Sequence, residues 1–209
     1  MCANGPTQVG VGSTDGLTAG QLSQVEGNVS AYFQQQTGIT VTFGSAGGGT
    51  TLDFVNNQDL PSGMSPSLPG QTPYNANGTY PATSYVNTQF IGSLWTDWTQ
   101  SGLYSPSDGG SLLQGIAETT EHELTHGLTM TDGGGFGIPG IGDNGTGITQ
   151  PFQVPFSFSF TPDMTTDQVI QFQNATCDFQ QGDFGGNQGP GDPGSPDQPA
   201  IARPGRHHF

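Results

Sequence analysis

The sequence predicts an α+β domain, loop-rich, with a twisted mixed sheet of about four or five strands packed on an N-terminal helix and on a second helix in mid-chain. Between residues 18 and 36, Leu22, Val25, Val29, Tyr32 and Phe33 recur at three- and four-residue steps, which is the period of an amphipathic helix. Directly afterwards Ile39-Thr-Val-Thr-Phe43 alternates strictly and is β-branched, the pattern of a half-buried strand. In residues 111 to 128, Leu113, Ala117, Thr120, Leu124 and Leu128 fall within about 40° of one line at 100° per residue, so this helix has an inward face.

The remaining elements follow from composition and local pattern. Residues 1 to 16 are Gly-rich without periodicity and are expected to form a flexible arm. Thr18 is placed to cap the first helix and Gly38 to end it. Thr50 to Val55 reads as a strand with Leu52 and Phe54 on one face, joined to the preceding strand across the Ser45 to Gly49 turn as a hairpin. Residues 56 to 82, rich in Pro, Gly, Asn and Ser, show no element and read as a long mobile surface loop. Tyr85 to Leu94 reads as a further strand leading to Trp95 and Trp98, which are expected to pack into the core. Residues 133 to 147 form a glycine-dense loop, Phe152 to Phe160 an extended segment, and Thr161 to Phe172 a turn followed by a helix capped by Thr165 or Thr166. The folded domain is thus expected over residues 17 to 182, with a Gly/Pro-rich tail at 183 to 209.

Chain length and charge bound the function. A chain of 209 residues fits one domain with a sizeable core. Only 9% of residues are charged, against roughly 25% in ordinary domains, and 35 glycines with 16 prolines account for the loops. There is no lysine, the only basic residues are Arg203 and Arg206, and the net charge is −15. Nucleic acid is thereby excluded as a partner, since binding it requires Lys and Arg to neutralise phosphates. No run of 18 apolar residues is present, so no transmembrane helix is expected. Residues 1 to 20 lack the basic and apolar regions of a signal peptide, which leaves either a cytosolic chain or one whose leader lies outside this sequence. The neutral Thr/Asn/Gly-rich composition favours export to an extracellular or periplasmic location. Cys2 and Cys177 leave four roles open: a disulfide, a lipid-bearing N-terminal cysteine, a thiolate that blocks a metal, or free thiols. Four sequons, at Asn28, Asn77, Asn144 and Asn174, carry little weight in so Asn/Thr-rich a chain. No sequence pattern specifies an oligomeric state.

The chemistry concentrates in Glu121-His122-Glu123-Leu124-Thr125-His126. Residues four apart on a helix lie one above the other, so His122 and His126 can offer two imidazole nitrogens to one Zn²⁺ at roughly 2.0 to 2.1 Å. Glu123 is placed to reach a metal-activated water instead of the metal, taking its proton and passing it to a leaving amine. The competing account makes both histidines solvated residues on a polar helix face. Glu118, one turn earlier, is placed on the histidine side as an outer partner or a solvated acid.

With its neighbours, the run His122-Glu-Leu-Thr-His126-Gly-Leu-Thr-Met-Thr-Asp132 resembles the zincin metallopeptidases, and more narrowly the metzincin clan. It is similar to the snapalysin-type members, which use aspartate as third zinc ligand. The resemblance, which covers about residues 111 to 172, implies a single zincin-like domain with His122, His126 and Asp132 on one catalytic Zn²⁺ and Glu123 as general base. It departs at Thr129, where the family has glycine; Gly127 is the nearest residue able to bend the chain early. No glutamate follows Glu123 and the later histidines, His207 and His208, lie in the tail, so Asp143 and Asp163 stand as reserve ligands. A methionine turn beneath the metal is implied at Met164, with Met130 second, and Thr166 occupies the place of the family's tyrosine. Ca²⁺ has only Asp143 and Asn144 in its favour, too few oxygens for a site. Two functions are therefore expected to compete: a zinc endopeptidase acting on protein or peptide, and a catalytically silent zincin-like surface or adhesion module.

Overall fold

Five strands and three helices succeed one another in the order β1 (Thr7–Thr14), α1 (Ala19–Thr37), β2 (Val41–Ser45), β3 (Thr51–Val55), β4 (Gly70–Gln71), β5 (Thr83–Asn87), α2 (Thr88–Gln100) and α3 (Leu112–Thr129). This computed structural model describes residues 7–45, 50–73, 83–102 and 111–129 with Val169 and Gln173; the side chains of Trp98, His126 and Thr129 fall outside that description. The strands form one mixed sheet in the order β2-β1-β3-β5-β4, parallel except for β4, which runs antiparallel to β5 at the edge.

Helix α1 begins and ends for local reasons. The Thr18 hydroxyl accepts the Gln21 amide at 3.3 Å while the Gln21 side chain accepts the Thr18 amide at 2.9 Å, a reciprocal capping box. Gly38 closes the helix in the left-handed region, φ 74°, with its N–H on the Gln34 carbonyl. Val25, Val29, Tyr32 and Phe33 are buried, as the periodicity requires, and the Ser30 hydroxyl ties the helix to β2 through the Val41 carbonyl at 2.8 Å. Helix α3 starts on Ser111, whose hydroxyl accepts the Gln114 amide at 3.1 Å. It packs against α1, α2, β4 and β5.

Three expectations about the sheet are corrected. Residues 7 to 14, assigned to an N-terminal arm, are β1, which pairs with β2 on one side and β3 on the other. In the middle of β1 only one face carries side chains, since Val9 and Val11 alternate with Gly10 and Gly12. A bulge lies between Val11 and Thr14; the Asp53 carboxylate accepts the Ser13 amide there at 2.9 Å, and a Cβ at Gly12 would collide with that carboxylate. Strands β2 and β3 are not a hairpin either, because both run parallel to β1 with β1 between them. Such a crossover ordinarily needs a dozen residues or more. Here a stagger replaces the return: β2 pairs with β1 up to Val11–Ser45, and β3 begins at Gly10–Thr51, so the end of β2 and the start of β3 lie at nearly the same level on either side of β1.

The third correction concerns residues 56 to 82, of which 74 to 82 lie outside the described residues. The described part contains β4 and buries Met64 and Leu68. Asn87, fully buried, holds it: its amide donates to the Pro69 carbonyl at 2.8 Å and its side chain to Asn57 at 2.9 Å. The same Asn87 side chain accepts the Phe90 amide at 3.0 Å, ending β5 and starting α2 inside the stretch expected to remain a strand to Leu94. Trp95 is half-buried on α2.

One core joins these elements, from Val9, Leu52, Phe54 and Val86 on the sheet to Phe33, Ile91, Ile116, Leu124 and Leu128 on the helices, and Val169 packs against it. Each fully buried aliphatic or aromatic side chain contributes about 1.5 to 3 kcal/mol. The side-chain amide of Gln173, the residue after the segment expected as a turn and helix, donates to the Thr37 carbonyl at the end of α1 at 2.7 Å. Among the described residues, no helix is long and apolar enough to cross a membrane.

Gly127 sits inside α3 and does not bend the chain; it lets the helix approach the sheet. A Cβ there would stand 2.9 Å from the Ser84 hydroxyl oxygen and 3.2 Å from the Thr50 methyl. Gly27 in α1 has open space at the same position. Gly127→Ala is therefore expected to destabilise, because overpacking of about 1 to 3 kcal/mol exceeds the gain in helix propensity of about 1 kcal/mol. Gly27→Ala is expected to stabilise by about 0.5 to 1 kcal/mol. Urea denaturation of the two variants checks both signs.

Candidate metal centre

The motif lies in the last three turns of α3, a helix unbroken through Thr129. His122 is 3% exposed, with Glu121 at 5% and Glu123 at 4%, which rules out a solvated polar face for His122 and its neighbours. The helix buries itself despite its polar composition because its threonines turn their hydroxyls inward. Thr119, Thr120 and Thr125, all fully buried, donate to the carbonyls of Gly115, Ile116 and Glu121 at 3.0, 2.8 and 2.6 Å. Each presents a methyl group to the core while its one proton stays satisfied.

Glu123 is fixed at both ends. Its carbonyl accepts the Ser84 hydroxyl of β5 at 2.9 Å. Its carboxylate reaches the edge of the sheet, where Oε2 lies 2.7 Å from the hydroxyl of Thr72, the residue after β4. The Thr72 hydroxyl also lies 2.9 Å from the Glu123 carbonyl and 3.0 Å from the Ser84 hydroxyl. With one proton and three acceptors in reach, Thr72 lies closest to the carboxylate oxygen. On the other side Oε1 crosses Gly70, where a Cβ would lie 2.6 Å from it. Gly70 and Thr72 were not singled out from sequence. They belong to a two-residue strand in a Pro/Gly-rich stretch, which carries no periodic signal.

Donor chemistry on α3 fits Zn²⁺ as far as the helix goes: two imidazole-bearing positions, His122 and His126, stand one turn apart on continuous helix. Among the described residues, no three His, Cys, Asp or Glu side chains converge as a metal-binding group. The His126 side chain and the whole of Asp132 lie outside the described residues. So do Asp143, Asp163, Asn144, Met130, Met164, Thr166, Cys2, Cys177, His207, His208 and the tail from 183 to 209.

Glu118 is not fully solvated. Burial pushes its carboxyl from an ordinary 4.5 up to about 7, against a smaller opposing pull from the Gln114 amide, which donates to Oε1 at 3.1 Å. Burial also raises Glu26 on α1. No family model, curated protein or solved structure matches the chain.

For Glu118 the folded state holds its proton more tightly than the unfolded chain, so this residue costs stability as pH rises from about 4.5 to about 7. At about 1.4 kcal/mol per unit the cost is at most on the order of 3 kcal/mol. Glu118→Gln is expected to be more stable than the parent at pH 8 and to converge with it below pH 4.5. Urea midpoints across that range decide it; a difference independent of pH contradicts it.

Proposed function

We propose that this chain is an exported zinc-dependent endopeptidase, a metzincin-like zincin in which His122, His126 and Asp132 hold one Zn²⁺ and Glu123 is the general base. The observation that carries the proposal is the burial of His122 beside Glu123, whose carboxylate is held by the Thr72 hydroxyl, one turn before His126 on the same unbroken helix. Taking carboxylates out of water costs several kcal/mol per ion unless positive charge or hydrogen bonds compensate. A divalent cation held by the helix histidines would add positive charge beside these carboxylates. When bound, Zn²⁺ polarises a carbonyl and brings water to nucleophilic strength near neutral pH.

The protein groups divide the remaining work. Glu123 removes the proton from the attacking water and delivers it to the amine as the peptide bond breaks. Its carboxylate is held by the Thr72 hydroxyl, which limits the positions it samples, in space that Gly70 leaves open. Strand β4 stands at the end of the sheet order, so its outer backbone is unpaired among the described residues. An extended peptide added along that edge gains main-chain hydrogen bonds and passes the Glu123 carboxylate, which favours a polypeptide substrate over a small molecule.

The expected result is one zinc per chain by metal analysis and cleavage of casein or a peptide library. Glu123→Gln should lower turnover by about 100- to 10,000-fold, the usual worth of a general base, with zinc retained. Asp132→Ala should weaken zinc binding by more than about 100-fold, beyond what loss of an outer partner costs, whereas Asp143→Ala should leave it unchanged. Zinc without any turnover favours the catalytically silent module, and no zinc at all removes both.

A further inference from the structure

We propose that Thr72 is the positioning residue for Glu123, a role that rests on the peptidase function proposed above. A glutamate side chain has three rotatable bonds, and a general base that samples them all is seldom where the proton is. Glu123 is held by contacts from residues far away in sequence. Its main chain is anchored to β5 through the Ser84 hydroxyl at 2.9 Å, and its carboxylate is held to the residue after β4 through the Thr72 hydroxyl at 2.7 Å. Gly70 leaves room for the carboxylate on the other side, since a larger residue there would project its Cβ 2.6 Å from Oε1 and displace it.

The residue type at 72 suits this role. β-Branching restricts χ1, so the hydroxyl stays aimed at the helix. Serine can make the same bond with less restriction. Valine keeps the shape and loses the proton. Thr72 thus acts through Glu123 and has no need to touch substrate or metal.

The test compares wild type, Thr72→Val and Thr72→Ser as full-length, zinc-loaded protein, with peptide kinetics and zinc affinity by chelator competition on each. A charge-assisted hydrogen bond is worth a factor of about 10 to 100, so Thr72→Val should lower kcat by that factor. KM and zinc affinity should stay within about 2-fold, because neither depends on where the base points. Thr72→Ser should recover kcat to within about 3-fold, the cost of the freer rotamer. Gly70→Ala displaces the same carboxylate from the other side and should reproduce the kcat loss, which keeps the question answerable if Thr72→Val folds poorly. Wild-type kcat in Thr72→Val overturns the proposal, as does a Thr72→Ser variant no better than Val, or a kcat loss matched by zinc loss. Wild-type protein that binds zinc without turnover overturns the peptidase function and this role together, whereas an active wild type indifferent to Thr72 overturns only this role.

Discussion

Everything at the candidate centre depends on burying α3 in a chain with few large apolar residues to bury it with; only 31% of the sequence is hydrophobic. The helix packs on α1, α2 and the sheet at once, and polar residues line much of its surface. Threonine resolves that conflict. Thr119, Thr120 and Thr125 return their protons to carbonyls one turn back, so each occupies the interior much as a valine would. Thr37 does the same at the end of α1, donating to the Phe33 carbonyl at 2.6 Å.

Close approach then turns packing into site geometry. Because residue 127 has no side chain, the last turns of α3 lie against β5 and the residue before β3, with the Thr50 hydroxyl 3.4 Å from the Gly127 carbonyl. One turn earlier on α3, that proximity puts Glu123 within reach of Ser84 and Thr72. A helix held further out would leave the carboxylate without those contacts. The antiparallel edge strand is too short to contribute much stability, yet it carries the glycine that makes room for the Glu123 carboxylate and adjoins the threonine that holds it.

Electrostatics sets the limits on this arrangement. Glu118, Glu121 and Glu123 fall within six consecutive positions of one helix with His122 among them, and no lysine or arginine lies among the described residues. Glu118 responds by holding its proton to about pH 7. Its neighbours in the motif are more deeply buried, and a bound cation is the remedy the proposed function supplies. A net charge of −15 also means that the protein as a whole attracts cations.

Local pattern alone determined α1 with both caps, the inward face of α3, the existence of β2 and β3, and the pairing of His122 with His126 one turn on. Each of those is settled within about one or two helical turns, or a few alternating residues, so neighbouring letters contain the answer. The tertiary structure decided the rest of what is described. It made a central strand of residues 7 to 14, whose glycine face hid the alternation, and set β2 and β3 parallel across it through a stagger that no single segment displays. It also brought Gly70 and Thr72 to Glu123 across more than fifty residues of chain. Pairing of distant backbone is chosen by burial and hydrogen bonding summed over the whole sheet, and a two-residue strand is shorter than the period by which strands are recognised.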